Sequence, residues 1–187
     1  MKKDLHNYIK LYNNSIQKTT CLEIIKELDH VNFKRHSYFD YKNNSYNSYD
    51  HEPEISLTTL SLNNNLRYII WKSIEQYILK DINFDWYQGW EGFTQIKYNK
   101  YTVNTEMRQH CDHIHDIFDG EIKGIPILTV LGFLNDDYEG GELVMFTDEI
   151  IRVKQGDILI FPSNFLYPHK VNLVTKGTRY SLTSWVW

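Results

Sequence analysis

Apolar positions split the chain into two unlike halves. Cys21, Ile24, Ile25 and Leu28 recur at three- and four-residue steps, the period of an amphipathic helix, and Thr20-x-x-Glu23 reads as a capping box at its start. Leu66, Ile69, Ile70, Ile74, Tyr77 and Ile78 repeat that period, with Asn64 or Asn65 available as the cap. Both helices are expected to pack on a sheet and to do no chemistry. Val31–Asp40 and Ile55–Leu62 read as strands. The polar run between them, Tyr41 to Glu54 (YKNNSYNSYDHEPE), reads as an exposed loop. So long a loop is often functional or mobile, and it is a candidate substrate lid, with a plain flexible insertion as the alternative.

From about Trp90 the period shortens. Phe93–Tyr98, Ile125–Leu134, Glu142–Phe146, Ile150–Val153, Asp157–Phe161, His169–Leu173 and Thr178–Val186 read as short strands, and Gly140-Gly141 and Gln155-Gly156 supply turns. Many short strands at this spacing predict a barrel or jelly-roll sandwich. The expected fold is mainly β with N-terminal helices. It is expected to be one domain over residues 1–187, with helical support over about 1–90 and the β core over about 91–187.

Composition narrows the function classes. At 187 residues the chain is long enough to bury a core. Its 20 basic and 24 acidic side chains leave a net charge of −4, without the basic stripe of a nucleic-acid binder, so nucleic acid is not the expected partner. Two cysteines, Cys21 and Cys111, make neither a disulfide framework nor a CxxC zinc pair. With no signal-peptide pattern at MKKDLHNYIK and no run of 18 apolar residues, no membrane association and a cytoplasmic setting are expected.

The sharpest chemical signal is YTVNTEMRQHCDHIHD. On an extended segment His110 and Asp112 share a face while Cys111 points away. An isolated His-x-Asp is usually a surface accident. His169, in FLYPHKV, is the best third ligand, and two imidazoles with one carboxylate leave coordination positions open, as in non-haem iron oxygenases. His113-x-His115 is the competing pair. The tyrosine spacing and the carboxylate favour His110 and Asp112.

The order Tyr101…His110-x-Asp112…Gly140-Gly141-Glu142-Leu143…Gly156-Asp157…Phe161-Pro162…His169…Gly177-Thr178-Arg179-Tyr180…Trp185 resembles the prolyl 4-hydroxylase-type Fe(II)/2-oxoglutarate-dependent dioxygenases, from Gln95 to Trp187. The resemblance implies a double-stranded β-helix (jelly-roll) core. It implies Fe(II) held by His110, Asp112 and His169, with 2-oxoglutarate and O2 as co-substrates and ascorbate as a supporting reductant. Arg179 would bind the distal carboxylate of 2-oxoglutarate, a role suited to a permanently charged, forked donor. Tyr101 and Thr183 would hydrogen-bond the co-substrate, and Leu131 and Trp185 would wall it. The implied reaction is hydroxylation with release of succinate and CO2; halogenating relatives lack the carboxylate supplied here by Asp112. Met107 and Phe133 stand where many relatives carry tyrosine, and Arg179 stands where collagen-type enzymes use lysine. A prolyl residue of a peptide or protein is the leading substrate, and a free amino acid or small metabolite the alternative. A non-catalytic metal-binding jelly-roll module is the reading from another class. Zinc hydrolysis has no HExxH to support it.

Overall fold

The computed structural model describes residues 2–40, 42–87, 90–112 and 126–187, without the side chains of residues 2–3 and 39–40. The first half carries α1 (Lys2–His6), β1 (Lys10–Tyr12), α2 (Lys18–Leu28), β2 (Lys34–Arg35), β3 (Tyr38–Asp40), β4 (Ser45–Asn47), β5 (Glu54–Ser56) and α3 (Asn63–Gln76), which runs on into a π-helical turn, Tyr77–Ile82. The second carries β6 (Lys97–Tyr101), β7 (Met107–His110), β8 (Leu128–Phe133), β9 (Glu139–Gly140), β10 (Leu143–Met145), β11 (Glu149–Ile151), β12 (Ile158–Pro162), β13 (His169–Val171), β14 (Val174–Lys176) and β15 (Arg179–Val186).

These strands build a seven-stranded sheet in the order β1-β12-β8-β15-β6-β5-β2 and a four-stranded sheet in the order β11-β10-β13-β7; the pairs within both are antiparallel. The central strands of the large sheet, β12, β8, β15 and β6, are largely buried on both faces, and strand alternation assigns their residues. Ile96, Tyr98, Val130, Leu134, Ile158, Ile160, Tyr180 and Leu182 join Cys21, Ile24, Leu28, Leu66, Ile70 and Ile74 in a helix-facing core. The intervening residues Tyr101, Phe133, Leu159 and Phe161 join Leu143, Met145, Val171 and Val174 of the small sheet in a second core between the sheets. This is the double-stranded β-helix, with helices supporting the back of its larger sheet.

Close packing demands glycine at two places. Gly132 leaves no room for a Cβ, which would stand 2.8 Å from Leu182 Cγ. Gly140 has φ +72°, and a Cβ there would meet the Leu173 carbonyl oxygen at 2.2 Å.

Several local expectations are corrected. Thr20 and Glu23 lie inside α2, whose N-cap is Gln17, and Asn64 and Asn65 lie inside α3, whose N-cap is Leu62; neither cap makes a side-chain hydrogen bond. The helices therefore start where tertiary packing of their apolar stripes begins, without capping chemistry. Ile55–Leu62 is strand only to Ser56, and Val31–Asp40 holds two short strands instead of one. The Tyr41–Glu54 run contains β4, which folds back on β3 as a hairpin. Phe93 makes one isolated bridge to Val186, and the strand expected there begins at Lys97 and reaches Tyr101. Strands β1 and β14 had no counterpart in the apolar pattern.

Candidate active site

Three side chains, from two neighbouring strands and the residues just after one of them, converge between the sheets. His110 closes β7, Asp112 follows two residues on, and His169 opens β13 directly opposite His110 in the antiparallel register. One ligand atom from each lies within 4.8 Å of the others. Asp112 Oδ1 is 3.6 Å from His110 Nε2, and Asp112 Oδ2 is 3.7 Å from His169 Nε2. Each imidazole is oriented from behind. His110 Nδ1 lies 2.8 Å from the Arg108 carbonyl and His169 Nδ1 lies 3.2 Å from the Tyr167 carbonyl. A carbonyl only accepts, so the proton sits on Nδ1 and the Nε2 lone pair faces the cluster. The edge of Phe161 packs on the His169 ring at 5.1 Å.

Asp112 is held by a buried relay. Thr129 Oγ1 donates to Asp112 Oδ2 at 2.7 Å and lies 2.8 Å from Ser163 Oγ. The threonine proton is committed to the carboxylate, so Ser163 must donate to Thr129. Burial pushes His110 down to about 4, reinforced by the His169 charge. Burial works to raise the Asp112 carboxyl, but His169, His110 and the Thr129 hydroxyl outweigh it and hold it below its ordinary range. An ionised carboxylate between two imidazoles that turn Nε2 towards it is the donor arrangement a divalent ion needs. The donor set, two Nε2 atoms and one carboxylate crowded with no hydrogen bond among themselves, fits a ferrous ion with open coordination positions.

The cluster lines a cavity that runs along β6 and β15. Lys97, Asn99 and Tyr101 face it from one strand, Arg179, Ser181, Thr183 and Trp185 from the other, and Leu131, Leu143 and Val171 close its sides. Arg179 is 2% exposed. Its Nη1 donates to Ser181 Oγ at 3.0 Å, and its guanidinium sits 4.8 Å from the Tyr101 ring centre and 5.6 Å from that of Phe133. Its Nε is buried without a hydrogen-bond partner, and among the described residues no carboxylate pairs with it. Burial pushes the Tyr101 phenol up to about 12 against the pull of Arg179, so it remains a donor at neutral pH. Asn99 Nδ2 donates to Thr183 Oγ1 at 2.9 Å, which frees the threonine proton for another acceptor.

Beside the cavity, Glu52 ties the loop before β5 to the ligand-bearing strand. It is 3% exposed, accepts from the Tyr38 hydroxyl at 2.8 Å and pairs with Arg108 at 3.3 Å. Arg108 also covers the Tyr49 ring at 4.0 Å.

The structure thus gathers His110, Asp112, His169, Arg179, Tyr101, Leu131, Thr183 and Trp185 around one cavity. His113 and His115 lie outside the described residues. Lys97, Asn99, Thr129, Ser163 and Ser181 escaped the sequence reading. Counting in twos from Tyr101, Leu131 and Arg179 would have found all of these but Ser163, as polar residues on inward strand positions.

Residues 96–187 match the model of the 2OG-Fe(II) oxygenase superfamily. A PKHD-type hydroxylase of Idiomarina loihiensis is 49% identical over 95 residues, which are 49% of this chain and 41% of the relative. A PKHD-type hydroxylase of Pseudomonas aeruginosa is 34% identical over 94 residues, covering 47% of this chain and 41% of that one. The matched stretch thus spans about two fifths of the length of these curated relatives. Among solved structures, a prolyl hydroxylase from Trichoplax adhaerens, in complex with a hypoxia inducible factor peptide fragment, superposes with a TM-score of 0.73 at 18% identity, over 99% of this chain and 86% of the other. A Pseudomonas putida prolyl-4-hydroxylase gives a TM-score of 0.68 at 17% identity, over 98% and 95%. At such identities the likeness is one of fold.

Proposed function

We propose, from the premise that residues 96–187 are a 2OG-Fe(II) oxygenase region with a prolyl 4-hydroxylase-like fold, that this protein is a 2-oxoglutarate-dependent hydroxylase acting on prolyl residues of a peptide or protein. The carrying observation is the His110, Asp112 and His169 cluster opening on a cavity that holds a buried guanidinium with no anionic partner among the described residues. Iron(II) bound there, with 2-oxoglutarate and O2, supplies the oxidising power for C–H hydroxylation, and 2-oxoglutarate leaves as succinate and CO2.

The remaining work falls to the chain. Arg179 takes the distal carboxylate of 2-oxoglutarate as a charge-assisted pair, and Ser181 fixes the fork. Tyr101 and Thr183 donate to the same ligand, while Leu131 and Trp185 wall it and keep water out. Thr129 and the two backbone carbonyls hold the ligands in register. The loop pinned by Glu52 serves as the lid over an extended peptide. The described residues act as one oxygenase domain in the cytoplasm, where the free thiols Cys21 and Cys111 remain reduced. Ascorbate keeps the iron ferrous.

Mass spectrometry of candidate peptides incubated with the protein, Fe(II), 2-oxoglutarate and ascorbate tests this. The expected outcome is a gain of one oxygen per turnover, dependent on 2-oxoglutarate and absent in His169→Ala. Normal turnover by that variant would refute the ligand assignment. Without a substrate, anaerobic Fe(II) and 2-oxoglutarate should give a visible charge-transfer band; a binding module would give none.

A further inference from the structure

Lys97 lines the same cavity as the metal cluster, yet neither the metal nor 2-oxoglutarate requires it. It stands opposite Thr183 in the β6–β15 register, four residues along the strand from Arg179. At about 3.3 Å per residue the two positions are roughly 13 Å apart, so Lys97 belongs to the far end of the cavity from Arg179. The two carboxylates of 2-oxoglutarate are already satisfied, one by Arg179 and one by the metal.

The Lys97 ammonium rests 4.4 Å from the centre of the Trp185 ring. A ring face steadies a cation but does not neutralise it. Among the described residues no carboxylate pairs with Lys97, and Asp112 acts on it only through space. The indole N–H of Trp185 is also buried with no hydrogen-bond partner. Two donors, one of them charged, thus belong to side chains that line the same cavity, and among the described residues no acceptor pairs with either. Lys97 is half-buried, but the indole N–H is fully buried, and a buried donor is rarely left so unless a ligand completes it. Asn99 spends its amide on Thr183 and offers the ammonium no charge.

We propose that Lys97 and the Trp185 indole N–H receive a carboxylate of the substrate, so that the molecule hydroxylated carries an anionic group beside the reacting C–H bond. This rests on the oxygenase reading of the cavity and deepens it. The carboxylate can come from an acidic residue next to the target residue of a peptide, or from the main chain of a free amino acid.

The test measures binding and turnover in two arms. One arm compares proline-containing peptides carrying Asp beside the proline with the same peptides carrying Asn. The other compares the common free amino acids with their carboxamides. Binding is read by calorimetry on protein loaded with Mn(II) and 2-oxoglutarate under argon, and turnover as succinate formed with Fe(II) in air. In at least one arm the wild-type protein should prefer the carboxylate by roughly ten- to a hundredfold, the worth of a charge-assisted hydrogen bond. Lys97→Met should erase that preference, and Lys97→Arg should keep most of it. The ratio of carboxamide to carboxylate Kd cancels any general loss of activity or folding. No preference in either arm, or a preference that survives in Lys97→Met, overturns the proposal. A wild-type protein that forms no succinate and binds no 2-oxoglutarate would sink the oxygenase reading itself, which is a different failure.

Discussion

Replacing Thr129 by valine removes one oxygen from behind the metal cluster and keeps the side chain's shape. Thr129 is 0% exposed, and its hydroxyl is the donor to Asp112 Oδ2 at 2.7 Å. A hydrogen bond to a charged acceptor contributes about 1.5 to 3 kcal/mol, and the deletion also strands the Ser163 hydroxyl, which is 1% exposed. If Asp112 must be re-oriented at that cost each time an ion binds, divalent-metal affinity falls by roughly ten- to a hundredfold. Competition of Mn(II) or anaerobic Fe(II) against a chromophoric chelator measures this, and urea unfolding of the apoprotein separates it from global damage. An affinity within about threefold of wild type, in a variant that otherwise unfolds normally, would refute the idea that Thr129 orients Asp112.

Three further outcomes follow from the same geometry. Arg179→Met should abolish the thermal stabilisation that 2-oxoglutarate gives the metal-loaded protein, while leaving apoprotein stability equal or higher, since it deletes a buried charge without an anionic partner; a lower apoprotein melting temperature would contradict this. Burial depresses His36 to about 3 and His110 to about 4, both below the ordinary 6.5. The unfolded chain therefore binds these protons first, and apoprotein stability should be complete above about pH 6.5 and decline as pH falls towards 4; urea midpoints across that range, unchanged, would refute the burial argument. Gly140→Ala should destabilise the fold by roughly 1 to 3 kcal/mol or more, because φ +72° and the Leu173 carbonyl both oppose a side chain; chemical denaturation reads it.

Legibility in the sequence followed strand alternation. Residues that repeat every second position on a doubly buried strand, such as Tyr180, Leu182 and Val186 behind and Arg179, Thr183 and Trp185 in front, announce both faces at once. His110 and Asp112 were visible for the same reason, His169 was the best candidate for the third ligand, and the family resemblance implied Fe(II) for the set. What stayed hidden depends on partners far along the chain. Strands β1 and β14 have three residues each and exist only because β12 and β9 lie beside them. Lys97 drew no reading, since nothing local says that its strand face is an interior wall. Glu52 sits in a polar loop, and only folding reveals that Tyr38, Arg108 and the strand bearing His110 close around it.

The opposed placement of His110 and His169 has a consequence for the empty protein's fate. Among the described residues β7 is an edge strand of its sheet, and its pairing with β13 contains a register irregularity between His169 and Val171. An ion shared by the two histidines is a clasp across that weak seam, fastening residues fifty-nine positions apart in the sequence. Loss of such an ion would thus loosen a sheet margin, leaving backbone donors and acceptors for a neighbouring chain to pair with.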